Sequence, residues 1–367
     1  MDENHIRFGI VGCAQIARKV SRAIGLSYNS TVYAVGSRSF EKAKKFALNN
    51  KLPDSVKIYG SYDEVLDDPN VDAVYMPLPT SLHVRWAVLA ATKKKHLLLE
   101  KPTALNTSEL DQILEACRLN GVQFMDGTMW LHHPRSPKIK ELLADTKLFG
   151  KLKSIHSTCT FYNGTPDFLE NNIRVKPELD ALGVLGDVGW YCIGAILWAT
   201  DNLLPNTVMA LPGPTRNEAG VLMACGGSLT WLAGKEEDDQ EEKVATFYCS
   251  FLSNVCLDLS LHGTNGTIHL KDHIIPCKES SASLEFTSGA QFTKLHLGWT
   301  VEPKKIEVVS EVPQETSMVQ EFARLVGNIK NHGSCPEDKW SESSRNIQIV
   351  IDAINKSLDL GCKNVDM

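Results

Sequence analysis

Short apolar runs alternate with amphipathic stretches through the first 125 residues of the chain. Residues 6–11 form an apolar run, and residues 31–36, 72–76, 95–99 and 122–125 resemble it. Runs of this kind suit parallel strands covered on both faces. Between them, Ser61-Tyr-Asp-Glu64 and Asn106-Thr-Ser-Glu109 have the spacing of a capping box, which satisfies the first N–H groups of a helix. Strands alternating with helices over short links predict a doubly wound parallel sheet.

Beyond Leu152 the period changes. Residues 153–161, 244–251, 256–262 and 267–270 alternate apolar and polar positions, the pattern of half-buried antiparallel strands, and Asn265-Gly266 is a hairpin-turn signal. Ile347, Val350, Ile351, Ile354 and Leu358 have helical spacing within residues 343–360, which end at Gly361, a capping glycine. The predicted architecture is α/β in two parts. Residues 1–125 form a Rossmann domain with a doubly wound parallel sheet. Residues 126–367 form an α+β domain with an open, mostly antiparallel sheet. Residues 182–200 approach the length of a membrane span, but they contain Asp187, and a mid-bilayer Asp costs roughly 3 kcal/mol. A buried helix is predicted instead, and its carboxylate needs a partner.

The 367 residues, 43% hydrophobic and 22% charged, have the composition of an ordinary globular protein with room for two cores. A net charge of -6 argues against a nucleic-acid partner. The ten cysteines are dispersed without a Cys-x-x-Cys pair, which predicts reduced thiols in the cytoplasm and no zinc site. The polar start of the chain lacks the look of a signal peptide. The charge run at 236–243 is acidic and predicts a solvated loop or hairpin.

The first strand–helix turn reads Gly9-Ile-Val-Gly12-Cys-Ala-Gln-Ile-Ala17. Gly12 takes the tight-turn position of the dinucleotide fingerprint, Ala14 stands at the second glycine, and Ala17 is where the helix packs on the sheet. A helix N-terminus offers N–H groups to a diphosphate, so Gly12, Cys13, Ala14, Gln15 and Ile16 are candidate cofactor residues. An NAD site usually closes the second strand with an acid. Here it closes with Ser37 and Arg38, followed one turn later by Lys42. Arg38 can stack on adenine and pair with a 2′-phosphate, to which Ser37 can donate a hydrogen bond, so NADP(H) is the predicted cofactor. A surface arginine at a helix start is the plainer alternative.

Pro77-Leu-Pro-Thr-Ser-Leu-His83 and Glu100-Lys101-Pro102 follow the next strands at their carboxyl ends, where open α/β sheets bind ligands. In the second half, Gly183-Val-Leu-Gly-Asp187-Val-Gly-Trp-Tyr191 puts Asp187 and Tyr191 on one helix face. With the Gly12 turn, these motifs resemble the glucose–fructose oxidoreductase/inositol dehydrogenase (Gfo/Idh/MocA) family over nearly the whole chain. Within it they resemble the NADP-dependent dihydrodiol and pentose dehydrogenase branch.

That resemblance implies hydride transfer between a nicotinamide and a small hydroxylated substrate: a sugar, polyol or dihydrodiol. It adds Leu78, Pro79, Thr80, His83, Glu100 and Lys101 to the cofactor residues. It makes Tyr191 the proton donor or acceptor, with Lys101 and Asp187 as electrostatic partners in a water-poor crevice. A free tyrosine titrates near pH ~10, and a neighbouring Lys101 cation would favour the phenolate. Asp187 would pair with that cation or with a second substrate hydroxyl. Many relatives carry His where Tyr191 stands, and the Lys-Pro peptide is often cis in the family. Met129-Trp-Leu-His-His133-Pro134 resembles the family segment beside the nicotinamide, with Trp130 flanking the ring and Leu131 where arginine is common. Asn163, Arg174 and Lys176 are candidate pocket residues. His132 and His133 are adjacent, point apart and are unsuited to one metal, so no metal is expected. The family implies a homodimer through the C-terminal sheet; the net charge and Asp187, as above, leave neither nucleic acid nor membrane as an expected partner. A non-catalytic NADP-binding regulator, or a lyase or glycosidase-like enzyme using transient cofactor redox, is the alternative.

Overall fold

Six parallel strands make the first sheet: β1 (Ile6–Val11), β2 (Ser30–Gly36), β3 (Lys57–Tyr59), β4 (Ala73–Met76), β5 (His96–Leu99) and β6 (Phe124–Asp126). Their order is β3-β2-β1-β4-β5-β6, the doubly wound arrangement. Helices α1 (Ala17–Leu26), α2 (Phe40–Asn49), α3 (Tyr62–Asp67), α4 (His83–Thr92) and α5 (Thr107–Asn120) connect them. Burial on both faces explains the apolar runs: Val74, Met76, Leu97 and Leu99 are fully buried with Ala87, Ala90 and Ile113 of α4 and α5. The Ser61 capping box closes, with Ser61 N donating to Glu64 at 2.9 Å and Glu64 N donating to Ser61 Oγ at 3.2 Å. At α5 it half-closes. Asn106 accepts from Glu109 N at 2.9 Å, but the Glu109 carboxylate takes the N–H of Leu105.

The computed structural model describes residues 5–162, 165–233 and 242–367, so Asn163 and most of the acidic run lie outside the described residues. The chain folds as two compact units. The first reaches His132 and takes in Glu178–Asp180 and Val312–Arg345. It therefore extends beyond residue 125, and it includes the helix Gln314–His332, which packs on α1, β1 and β2.

The second unit holds a ten-stranded sheet. Its strands are β7 (Leu152–Thr160), β8 (Thr207–Ala210), β9 (Thr215–Arg216), β10 (Leu222–Trp231), β11 (Lys243–Ser250), β12 (Leu259–Gly263), β13 (Gly266–Leu270), β14 (Ser281–Ser288), β15 (Lys304–Val309) and β16 (Val365–Asp366). The order is β15-β14-β13-β12-β7-β11-β10-β8-β16, with β9 on β10. All pairs are antiparallel except β7 with β11.

The apolar stretch at 182–200 is a core helix. A π-helical turn, Leu185–Gly189, leads into the helix Trp190–Ala199, in which every residue but Trp198 is buried. The helix packs on β7 and β11. A Cβ at Gly189 would meet Leu185 at 3.0 Å and Cys249 Sγ at 3.4 Å, so glycine permits this approach. The C-terminal helix, Lys339–Asp359, begins before residue 343 and is followed by Gly361 at φ 73°.

Candidate active site

In the first unit, three segments meet at Gly12. Its N–H donates to Gly36 O at 3.0 Å, its φ is +113°, and a Cβ there would lie 2.8 Å from Leu78 Cδ2. Only glycine fits this turn between β1 and α1. Cys13 and Ala14 are half-buried, whereas Gln15 and Ile16 are exposed. Helix α1 opens without a side-chain cap, the kind of end that receives an anion.

Beside this turn, polar groups gather at the end of β2. Burial pushes the Cys13 thiol up, opposed by the charge of Lys42 and a hydrogen bond with Ser37. Burial also pushes the Tyr62 hydroxyl up, opposed by the guanidinium of Arg38, which is near enough to hydrogen-bond it. Ser37, Arg38 and Lys42 thus share one cluster with Cys13 and Tyr62. Tyr62 was absent from the sequence reading. Its signal was its place after the capping Ser61, at the mouth of α3.

Glu100 and Lys101 follow β5. Tyr75 donates its hydroxyl to Glu100 at 2.5 Å, and a Cβ on Gly127 would lie 3.0 Å from the Glu100 carboxylate. Glu100, expected at the cofactor, is therefore braced by protein groups. The Lys101-Pro102 peptide is cis. Lys101 has a carboxylate neighbour that the sequence reading missed, Asp126 at the end of β6. Burial pushes the Asp126 carboxyl up, and Ser344, Thr128 and the Lys101 charge oppose this. Thr128 N donates to it at 2.7 Å and Ser344 Oγ at 2.5 Å. An acid closing a buried strand was the available signal.

Thr80 and His83, also expected at the cofactor, turn inward. They are 2% and 1% exposed, so their polar atoms serve protein partners. Thr80 donates its N–H (3.2 Å) and its hydroxyl to Asp180. His83 Nδ1 and Nε2 lie 3.1 Å from Thr103 O and 2.9 Å from Leu78 O. Leu78 and Trp130 are buried, and Pro79 is half-buried. His132 stacks on Trp340 at 4.9 Å. In the second unit, His133 Nδ1 accepts from Arg135 N at 2.9 Å. Burial holds each of these two histidines down to about 4.

The second unit carries Asp187 and Tyr191 one helical turn apart, 5% and 9% exposed. The partner of the buried carboxylate is Arg174, whose Nε lies 2.7 Å from Asp187 Oδ2. Arg174 sits in the 3-10 turn Ile173–Val175, which Asn172 opens by accepting from Arg174 N at 3.0 Å. Asn217 fastens the turn by donating to Val175 O at 3.0 Å. Lys176 is half-buried beyond it.

A family model described as an oxidoreductase family with an NAD-binding Rossmann fold, Gfo/Idh/MocA, matches residues 6–128. An uncharacterised oxidoreductase of Rhizobium meliloti is 30% identical over 295 residues, 78% of this chain and 80% of that one. The D-xylose 1-dehydrogenase (NADP(+)) 2 of Haloferax volcanii is 34% identical over 228 residues, 62% of this chain and 66% of that one. Among solved structures, a 3-ketoreductase from Actinomadura kijaniata, in complex with NADP and TDP-benzene, has a TM-score of 0.75 at 24% identity, covering 96% of this chain and 98% of that one.

Proposed function

Because this chain belongs to the Gfo/Idh/MocA oxidoreductase family, we propose that it is an NADP(H)-dependent dehydrogenase acting on the CH–OH group of a small sugar, polyol or dihydrodiol. The observation that carries the reading is the Gly12 turn, where a Cβ would strike Leu78, beside the cluster of Ser37, Arg38 and Lys42. The cradle suits a diphosphate, and the cluster supplies cations and a hydroxyl where a 2′-phosphate needs them. A relative of matching kind is itself an NADP-dependent xylose dehydrogenase.

When bound, NADP(H) supplies or accepts the hydride. In this reading Gly12, Cys13, Ala14, Gln15 and Ile16 hold the diphosphate, while Leu78, Pro79 and Trp130 shape the cofactor's bed. The Tyr191 hydroxyl takes the proton when an alcohol is oxidised and returns it when a carbonyl is reduced. The Lys101 ammonium binds the substrate oxygen and stabilises charge developing on it, and Asp126 holds that ammonium in place. Asp187, balanced by Arg174, accepts from a neighbouring substrate hydroxyl.

The free thiols at all ten cysteines suit a reducing cytoplasm. On the central strands, Ser154, His156, Thr158, Thr246, Ser228 and Thr230 carry neither carboxylate, ammonium nor guanidinium, and the ammonium groups of Lys153 and Lys243 stand near the strand starts. That composition favours a covered face, and a second copy of the chain is the proposed cover.

The test is NADPH absorbance after mixing protein and NADP⁺ with a panel of pentoses, hexoses and dihydrodiols. NADPH accumulates with at least one member. No accumulation with any member overturns the reading, and product without NADPH points to bond cleavage with transient redox.

A further inference from the structure

We propose that His83, as an imidazolium, and Asp180 form a buried charge pair that positions the loop between β4 and α4. Both ring nitrogens of His83 face backbone carbonyls, Thr103 O at 3.1 Å and Leu78 O at 2.9 Å. A carbonyl only accepts, so each contact needs an N–H on the ring, and only the imidazolium has two. A neutral ring would aim a lone pair at one of these oxygens.

The charge needs compensation, because His83 is 1% exposed and is the first residue of α4, where the helix dipole disfavours a cation. Burial pushes the His83 imidazole down, and the charge of Asp180, itself 9% exposed, opposes this together with the carbonyls of Leu78 and Thr103. The Asp180 carboxylate is held by the N–H of Thr80 at 3.2 Å and by the Thr80 hydroxyl. The pair therefore closes a ring of contacts. Leu78 and Thr80 on one loop and Thr103 on the next are fixed to His83 and Asp180, and Leu78 in turn walls the Gly12 turn. Neither His83 nor Asp180 touches the cofactor in this scheme, so both are positioning residues. Their consequence for NADPH rests on the function proposed above.

Two measurements need no cofactor. Nitrogen-15 NMR of the full chain at neutral pH finds hydrogens on both ring nitrogens of His83; a single hydrogen overturns the pair. In urea unfolding, His83→Gln, Asp180→Asn and the double variant form a cycle in which the double loses no more than the worse single, whereas additive losses overturn the pair. For positioning, each single variant weakens NADPH binding about tenfold. Wild-type affinity in both variants overturns it. If the wild-type chain binds no NADPH, the proposed function falls, while the NMR and urea results still decide the pair.

Discussion

Each compact unit buries a carboxylate beside a cation, Asp126 with Lys101 in the first and Asp187 with Arg174 in the second, and the two are satisfied differently. Asp126 receives a backbone N–H and a serine hydroxyl in addition to the Lys101 charge. Asp187 lies on a π-helical turn, and its partner is a long side chain that remains 34% exposed. Fixed donors hold a charge in one place. A partner that reaches water can follow the carboxylate or release it. The first carboxylate is thus anchored in the framework around Lys101, whereas the second, in the function proposed above, would accept from a substrate hydroxyl.

The largest effects should come from the groups these carboxylates accompany. Lys101→Met and Tyr191→Phe are each expected to lower kcat by about 10³, within the range for lost proton-transfer and charge-stabilising groups. Steady-state NADPH formation reads this, and wild-type rates would break the comparison at its root. Next come the carboxylates themselves. Asp126→Asn should cost about 2 kcal/mol of stability in urea, because its fixed donors lose an acceptor. Asp187→Asn should leave the urea midpoint nearly unchanged while kcat/KM falls. Equal stability losses would show that both are framework.

Arg38→Ala should weaken NADPH about tenfold and leave NADH unchanged, as binding fluorescence would show. A separate effect concerns acid. Burial holds His132 in the folded state down to about 4. The unfolded chain takes up a proton below its ordinary ~6.5, so stability present above that value is lost as pH falls toward 4. His132→Phe should flatten the decline by up to ~1.4 kcal/mol per pH unit. An unchanged slope would assign the acid sensitivity to other groups, among them His133 and His96, which burial also holds down to about 4.

Much of this organisation was legible because burial on both faces writes a continuous apolar run, as in β1, β4 and β5. Strand β3 was not, having only three residues with Lys57 exposed. Strand β10 was not, because Ala224, Gly226 and Gly227 let neighbours close over both faces and erase the alternation. Asp187 was legible as a carboxylate needing a partner. That Arg174 supplies it depends on the turn at Ile173–Val175, which no periodicity encodes. Thr80 and His83 stood in cofactor register, yet Thr80 turns in to Asp180, a hundred residues away along the chain, and His83 to the carbonyls of Leu78 and Thr103.

The most direct test is the NADPH-forming rate of wild type, Lys101→Met, Tyr191→Phe and the double variant with one alcohol substrate and NADP⁺. If the ammonium and the phenol act on the same oxygen, the double variant is no slower than the slower single. Losses that multiply, or singles that keep the wild-type rate, would contradict a shared role.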